Sequence, residues 1–167
     1  MTAATLRVGA ISAVATTALR AQVLRPGSPL GDCIYPGDTD PLTLHLGARR
    51  DDGPIVAIAS FYREAAPAEL GAWTAGLAEN RSWRLRGMAV HPELRGTGIG
   101  KQVLTAALAL LQERHDLRLL WCNARLGALG FYENMGFSLV GAAFSVPGVA
   151  ELHRLGVWRK PGPDGGR

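Results

Sequence analysis

The stretch VHPELRGTGIGKQVL, residues 90–104, sets three glycines and two basic residues between a strand-like run and a helix-like one. Before it, SWRLRGMAV (82–90) alternates apolar and polar residues with the period of a strand. After it, GKQVLTAALALLQER (100–114) has apolar residues at 103, 104, 107, 108, 110 and 111 and good helix formers throughout. A chain that passes from strand through bare turn to helix must pack a helix against a sheet. Glycine removes the Cβ that would keep a ligand off the main chain. The first turn of a helix carries N–H groups with no internal acceptor, at the positive end of the helix dipole. With Arg95 and Lys101 on the same rim, the stretch suits an anion. Glycines at such a turn equally serve a close crossing of strand and helix.

Spacing excludes two common phosphate motifs. Gly96, Gly98 and Gly100 do not complete GxGxxG, because position 101 is Lys, and no acidic residue ends a strand at the distance a dinucleotide site needs. A nucleoside triphosphate loop needs GxxxxGK followed by Ser or Thr, whereas position 95 is Arg and position 102 is Gln.

The rest of the chain supplies alternating elements. TLRVGAI (5–11) reads as a strand, and Ser12 offers an N-cap to a helix over AVATTALRAQVL, which Pro26 and Gly27 end. Residues 25–41, rich in Pro, Gly and Asp, form a long loop suited to bordering a substrate pocket. LTLHLGA (42–48) and PIVAIASFY (54–62) are strands joined by a hairpin turn at RRDDG. Residues 63–82 read as a short helix or a loop. LRLLWCNA (117–124) is a buried strand, RLGALGFYENMG (125–136) a short helix closed by Gly136, and FSLVGAA and VAELHRLGVW two final strands. Residues 1–158 read as one domain and 159–167 as a disordered tail.

The 167 residues suit one core. Hydrophobic residues at 47% and charged ones at 19% argue against extensive disorder. The formal net charge of +4 is spread along the chain, and without a basic cluster interleaved with aromatics a nucleic-acid partner is not expected. No run approaches the roughly 20 apolar residues of a membrane span. The N-terminus has no uninterrupted apolar core after a basic start, so cytoplasmic location is the expectation. Cys33 and Cys122 lie far apart and outside any ligand spacing, which reads as two reduced thiols and no metal site.

Arg-x-x-Gly-x-Gly at Arg95, Gly98 and Gly100 resembles the acetyl-CoA signature of the GNAT superfamily of N-acetyltransferases. RLRGMAVHPELRGTGIGKQVL resembles that superfamily's fourth strand, phosphate loop and following helix, and LLWCNARLGALGFYENMGF its fifth strand and next helix, ending in FYExxGF. The resemblance implies an α+β fold with a mixed, mostly antiparallel sheet of about seven strands, flanked by about four helices and splayed between the fourth and fifth strands. It implies acetyl-CoA as cosubstrate, an amine as acceptor, no metal, and a second copy of the chain as a candidate partner.

By the same resemblance the main chain of Met88, Ala89 and Val90 holds the pantetheine arm and the oxyanion, while Arg95, Gly96, Thr97, Gly98, Ile99, Gly100 and Lys101 meet the diphosphate. Tyr132 stands where many members place the acid for the departing thiolate, with Phe131 as the neighbouring apolar anchor. Arg125 replaces the Asn common there, so it or Asn123 would help hold the carrier. FSVPGVAELHRL resembles FxxPGxGPHxxM, but Glu151 and Leu152 stand for Pro and His, which displaces His153 by one place. The fourth strand lacks the common Glu, leaving His45, Glu64, Glu93, Glu151, His153 or a water relay as the base. Arg84 and Arg86 either line the path of an acidic acceptor or form the wet face of a strand. The leading expectation is an N-acetyltransferase acting by direct attack of a primary amine; the alternative is a non-catalytic acyl-CoA-binding sensor.

Overall fold

A computed structural model describes residues 5–78 and 81–162 of the chain. Seven strands, β1 (Leu6–Ala10), β2 (Leu44–Arg50), β3 (Ile55–Tyr62), β4 (Ser82–Val90), β5 (Leu119–Arg125), β6 (Ser138–Val146) and β7 (Val149–Arg159), lie in one sheet. Their order is β1-β2-β3-β4-β5-β7-β6. The helices are α1 (Thr17–Leu19), α2 (Gly71–Thr74), α3 (Ile99–His115) and α4 (Leu129–Asn134). The α+β expectation is met. The pairs β1–β2, β2–β3, β5–β7 and β6–β7 are antiparallel and β4–β5 is parallel. As the splay requires, the parallel register covers Ser82↔Leu119 to Leu85↔Cys122, although β4 continues to Val90 and β5 to Arg125.

Contacts within the chain divide it into two compact units. The first comprises the described residues up to Tyr62 with Arg86–Leu110. Here β3 (IVAIASFY) is buried from Ala57 to Tyr62, as a β-branched and aromatic run in the interior of a sheet should be. The turn between β2 and β3 places Asp51 at φ 51°, a conformation Asp tolerates better than most residues. The helix expected after Ser12 is present but changes pitch. A tight 3-10 turn (Val14–Thr16) leads into α1 and then into a wide turn (Arg20–Leu24). The hydroxyls of Thr16 and Thr17 donate to the carbonyls of Ala13 and Val14, at 2.6 and 2.8 Å, and so compete with a regular ladder. Ser12 Oγ accepts the Ala15 N–H at 3.2 Å, the capping role its position foretold. Leu19 packs on Ile58 and Ala89, and α3 buries Val103, Leu104, Ala107 and Leu111, the stripe its spacing marks.

The second unit comprises Arg63–Leu85 and the described residues from Leu111 onward. β7 pairs with β5 from Leu119↔Arg159 to Arg125↔His153, and β6 lies outside it. Leu70, Leu119, Trp121, Leu155 and Val157 form its core. Residues 63–82, ambiguous in sequence, contain a 3-10 turn (Ala68–Leu70) and α2. Gly136 stands at φ +88°, and the amides of Met135, Gly136 and Phe137 bond back into α4, the left-handed closure expected. Of the expected tail, Arg159 is the last residue of β7, the Lys160 N–H donates to the Arg118 carbonyl at 2.9 Å, and residues 163–167 lie outside the described residues. Among the described residues no helix is long and apolar enough to cross a membrane.

Candidate active site

In the first unit the end of β4, the turn after it and the start of α3 are consecutive. Ala89 points into the core, whereas Met88 and Val90 are half-buried, and the His91 N–H donates to the Val56 carbonyl at 2.8 Å, pinning the strand's end to β3. A 3-10 turn (Pro92–Leu94) follows, and the Thr97 hydroxyl donates to the Leu94 carbonyl at 2.6 Å. Gly96 and Gly98 have φ +75° and +84°, a region that costs any other residue roughly 1–2 kcal/mol, and no atom comes within 4 Å of where either Cβ would lie. Gly100 is already helical. The first bond into α3 runs from Gln102 N–H to the Gly98 carbonyl at 3.1 Å, so the N–H groups of Ile99, Gly100 and Lys101 precede it and have no acceptor within the helix. Arg95 and Lys101 are exposed on this rim, and Ile99, buried, anchors it. The arrangement presents donors and positive charge to an anion, and a side chain at position 96 or 98 would stand in its way. These residues therefore fit a diphosphate.

One residue before Met88, Gly87 interrupts the pleat of β4 at φ +67°. A Cβ there would lie 3.1 Å from both Arg20 Nε and Tyr35 Cε2. Arg20 is fully buried and is held by the loop the sequence marked at 25–41. Its Nη1 donates to Asp38 Oδ2 at 2.6 Å and to the Cys33 carbonyl at 2.9 Å, and its Nη2 to Asp38 Oδ1 at 3.1 Å, Ser60 Oγ at 2.9 Å and Tyr62 Oη at 3.1 Å. Asp38 also accepts the Tyr62 hydroxyl at 2.6 Å and the Tyr35 amide at 2.8 Å. Burial alone would raise the Asp38 carboxyl, but the hydrogen bonds from Arg20, Tyr62 and Tyr35 outweigh it and hold it below the usual carboxylate range. His45 completes the group, with Nδ1 2.7 Å from Ser60 Oγ and Nε2 2.9 Å from the Asp38 carbonyl. Sequence reasoning missed this cluster. Its one local signal is a lone arginine inside the apolar run TALRAQVL.

The second unit holds the remaining site candidates. Asn123 and Arg125 lie two residues apart on β5, both half-buried. Tyr132 on α4 is buried, with its ring edge-on to Phe131 at 5.2 Å and to Phe137 at 5.3 Å. Phe131, read as the anchor of this pair, is only half-buried. Burial, followed by the nearby Cys122, pushes the Tyr132 phenol well above its ordinary value, against the opposing charge of Arg125, so the ring keeps its proton. Cys122 is buried under Gly156, and desolvation pushes its thiol up to about 12. Cys33 and Cys122 are both free thiols, as expected.

The candidate bases are differently placed. Both ring nitrogens of His45 are engaged, Glu64 pairs with Arg84 at 2.9 Å, and Glu93 is exposed. Glu151 Oε1 accepts the Gly127 N–H at 2.7 Å, and its Oε2 lies 3.9 Å from Arg125. His153 is buried beside Phe144, and its Nδ1 has no hydrogen-bond partner. Desolvation and then Arg125 hold its imidazole below the ordinary value, against the main chain and charge of Glu151. Arg84 is not a bare wet-face residue, since its guanidinium lies 4.8 Å over Trp121 besides pairing with Glu64. Among the described residues no group of three His, Cys, Asp or Glu could hold a metal.

A family model described as an acetyltransferase (GNAT) domain matches residues 44–139. The chain is 33% identical over 144 residues to "Uncharacterized N-acetyltransferase YitI" of Bacillus subtilis (strain 168), spanning 86% of this chain and 90% of that one. Among solved structures it is similar to Escherichia coli ElaA, with a TM-score of 0.70 at 17% identity over 93% of this chain and 100% of that one. It is also similar to Arabidopsis thaliana NAA60 in complex with a bisubstrate analogue, with a TM-score of 0.71 at 13% identity over 93% and 98% of the two chains. At these identities the two structures show likeness of fold.

Proposed function

Starting from the chain's membership of the GNAT acetyltransferase family, which makes it an acyltransferase, we propose that it transfers an acetyl group from acetyl-CoA to a primary amine by direct attack. The observation that carries this reading is the pair of left-handed glycines, Gly96 and Gly98, set directly before the first turn of a 17-residue helix with Arg95 and Lys101 beside it. Arg95 to Lys101 would hold the diphosphate of the cosubstrate, the main chain of Met88 to Val90 its pantetheine amides, and Asn123 and Arg125 would help hold the carrier. Acetyl-CoA supplies the thioester carbonyl that the amine attacks. A main-chain N–H among Met88 to Val90 stabilises the oxygen that becomes negative. Tyr132 gives its proton to the departing thiolate, and the proton shed by the attacking nitrogen, relayed through water, restores the phenol.

Calorimetric titration of coenzyme A into the protein, with mass-spectrometric detection of acetylated product across a panel of amines, tests the proposal. Saturable binding and transfer are expected. Tyr132→Phe should lower kcat by about 100-fold, with acetyl-CoA affinity changed less than about threefold. Binding without transfer to any amine would leave an acyl-CoA sensor, and an unchanged kcat in Tyr132→Phe would remove the acid role.

A further inference from the structure

We infer that Tyr35, backed by Arg20, is a positioning residue for acyl transfer: it holds Gly87 in its left-handed conformation and so aims the main-chain N–H of Met88 at the thioester oxygen. The inference rests on the acetyltransferase reading above and adds to it the side chains that orient the oxyanion donor.

Gly87 stands inside β4 at φ +67°, and its dihedrals set the direction of the next peptide, which carries the Met88 N–H. Glycine crosses between left- and right-handed backbone at little cost, so the chain alone does not fix that direction. The surroundings do. Tyr35 Cε2 and Arg20 Nε each lie 3.1 Å from where a Cβ would be, and Arg20 Cζ lies 4.0 Å from the centroid of the Tyr35 ring, so the two side chains and the strand close on one another. The same ring meets the residue before Gly87, with the Arg86 guanidinium carbon 4.3 Å from its centroid. Both halves of this wall are tied to one carboxylate, since Asp38 accepts two hydrogen bonds from Arg20 and one from the Tyr35 amide. Arg20 Nε has no hydrogen-bond partner, and that edge of the side chain serves contact with the strand.

Further support lies two residues on. Ala89 packs with Leu19 and Ile58, and the His91 N–H donates to the Val56 carbonyl at 2.8 Å. Leu19 and Arg20 are neighbours where α1 passes into the wide turn over Arg20–Leu24, so one coil reaches the strand at both Gly87 and Ala89. Wide turns of this kind are rare and recur at functional sites. With Gly87, Ala89 and His91 each held, the main chain between them keeps one orientation. An oxyanion donor acts through such fixed placement, and a misplacement of about 1 Å costs about 100-fold in rate.

Acetyl-CoA labelled with heavy carbon at its carbonyl, bound without any amine, reports on the donor directly. A hydrogen bond to the thioester oxygen lowers the carbonyl stretching frequency in isotope-edited infrared difference spectra. Tyr35→Leu, which removes the ring but keeps an apolar side chain, should lose at least half of the shift seen in the unaltered protein. With any amine the protein acetylates, it should lower kcat about tenfold to 100-fold while the KM for acetyl-CoA changes less than about threefold. Tyr35→Phe keeps the ring at Gly87 and should restore both. Gly87→Ala strikes the same contact from the strand and should show the same split, which decides the matter where Tyr35→Leu does not fold. A purely structural role would lower stability in these variants and leave frequency and kcat of the folded protein as they are. A full shift retained in Tyr35→Leu or, where that does not fold, in Gly87→Ala overturns the inference, as does a loss in Tyr35→Phe equal to that in Tyr35→Leu, or a bound carbonyl that is unshifted in the unaltered protein. Failure of coenzyme A itself to bind would instead strike the acetyltransferase reading, so the two failures are distinguishable.

Discussion

Gly87 and the pair Gly96 and Gly98 share left-handed backbone, yet their surroundings are opposite. At Gly87 the side chains of Arg20 and Tyr35 stand 3.1 Å from where a Cβ would be, whereas at Gly96 and Gly98 no atom lies within 4 Å. The first glycine serves the protein's own packing. The open surroundings of the second pair do not alone make a site, because Gly27, Gly76 and Gly141 are equally open positions with positive φ. What separates Gly96 and Gly98 from those is position, immediately before a long helix whose first N–H groups have no helical acceptor. A glycine therefore has to be read with the element it introduces.

The largest effect expected is at the wall behind Gly87. Asp38→Ala leaves a fully buried guanidinium without its carboxylate, and should cost about 3–5 kcal/mol in urea unfolding; a loss below about 1 kcal/mol would mean that Arg20 is not fixed there. Next come the glycines themselves. Gly87→Ala should cost about 2–3 kcal/mol, from left-handed strain plus the close approach to Arg20 and Tyr35. Gly98→Val should cost only the strain, about 1–2 kcal/mol, yet weaken coenzyme A binding at least about tenfold in calorimetry. If both variants lost stability and affinity in the same proportion, the distinction between the two kinds of glycine would fall.

The smallest effect is that of pH. Because the Asp38 carboxyl is held low in the folded state, its contribution is complete above the unfolded value of about 3.9 and is lost as pH falls through the folded value. Thermal melts should therefore lose an increment between pH 4 and more acidic conditions that Asp38→Asn lacks.

Much of this was legible in local pattern. The burial of Val103, Leu104, Ala107 and Leu111 follows from helical spacing, and the left-handed Gly136 follows from its place after a short helix. The turn at 95–101 was legible for the same reason, since all its parts are adjacent in the chain. The cluster around Arg20 was not. It joins residues 18, 40 and 42 positions apart in sequence, and no periodicity records which buried side chains will meet. The placement of β7 between β5 and β6 was likewise hidden, because two consecutive strands pair as a hairpin whichever of them takes the inner place. The coil over residues 14–24 was legible as helix but not in its pitch, which the hydroxyls of Thr16 and Thr17 disturb.

The burial of both sulfur atoms has a practical sequel at the bench. Cys33 is 0% and Cys122 1% exposed, so neither sulfur is accessible to an aromatic disulfide reagent, and the Cys122 thiol, displaced to about 12, is almost wholly protonated at neutral pH and does not attack one. Colorimetric counting of sulfhydryls on the folded protein should then register the liberated carrier alone, and a slow extra rise in absorbance would report the chain opening up.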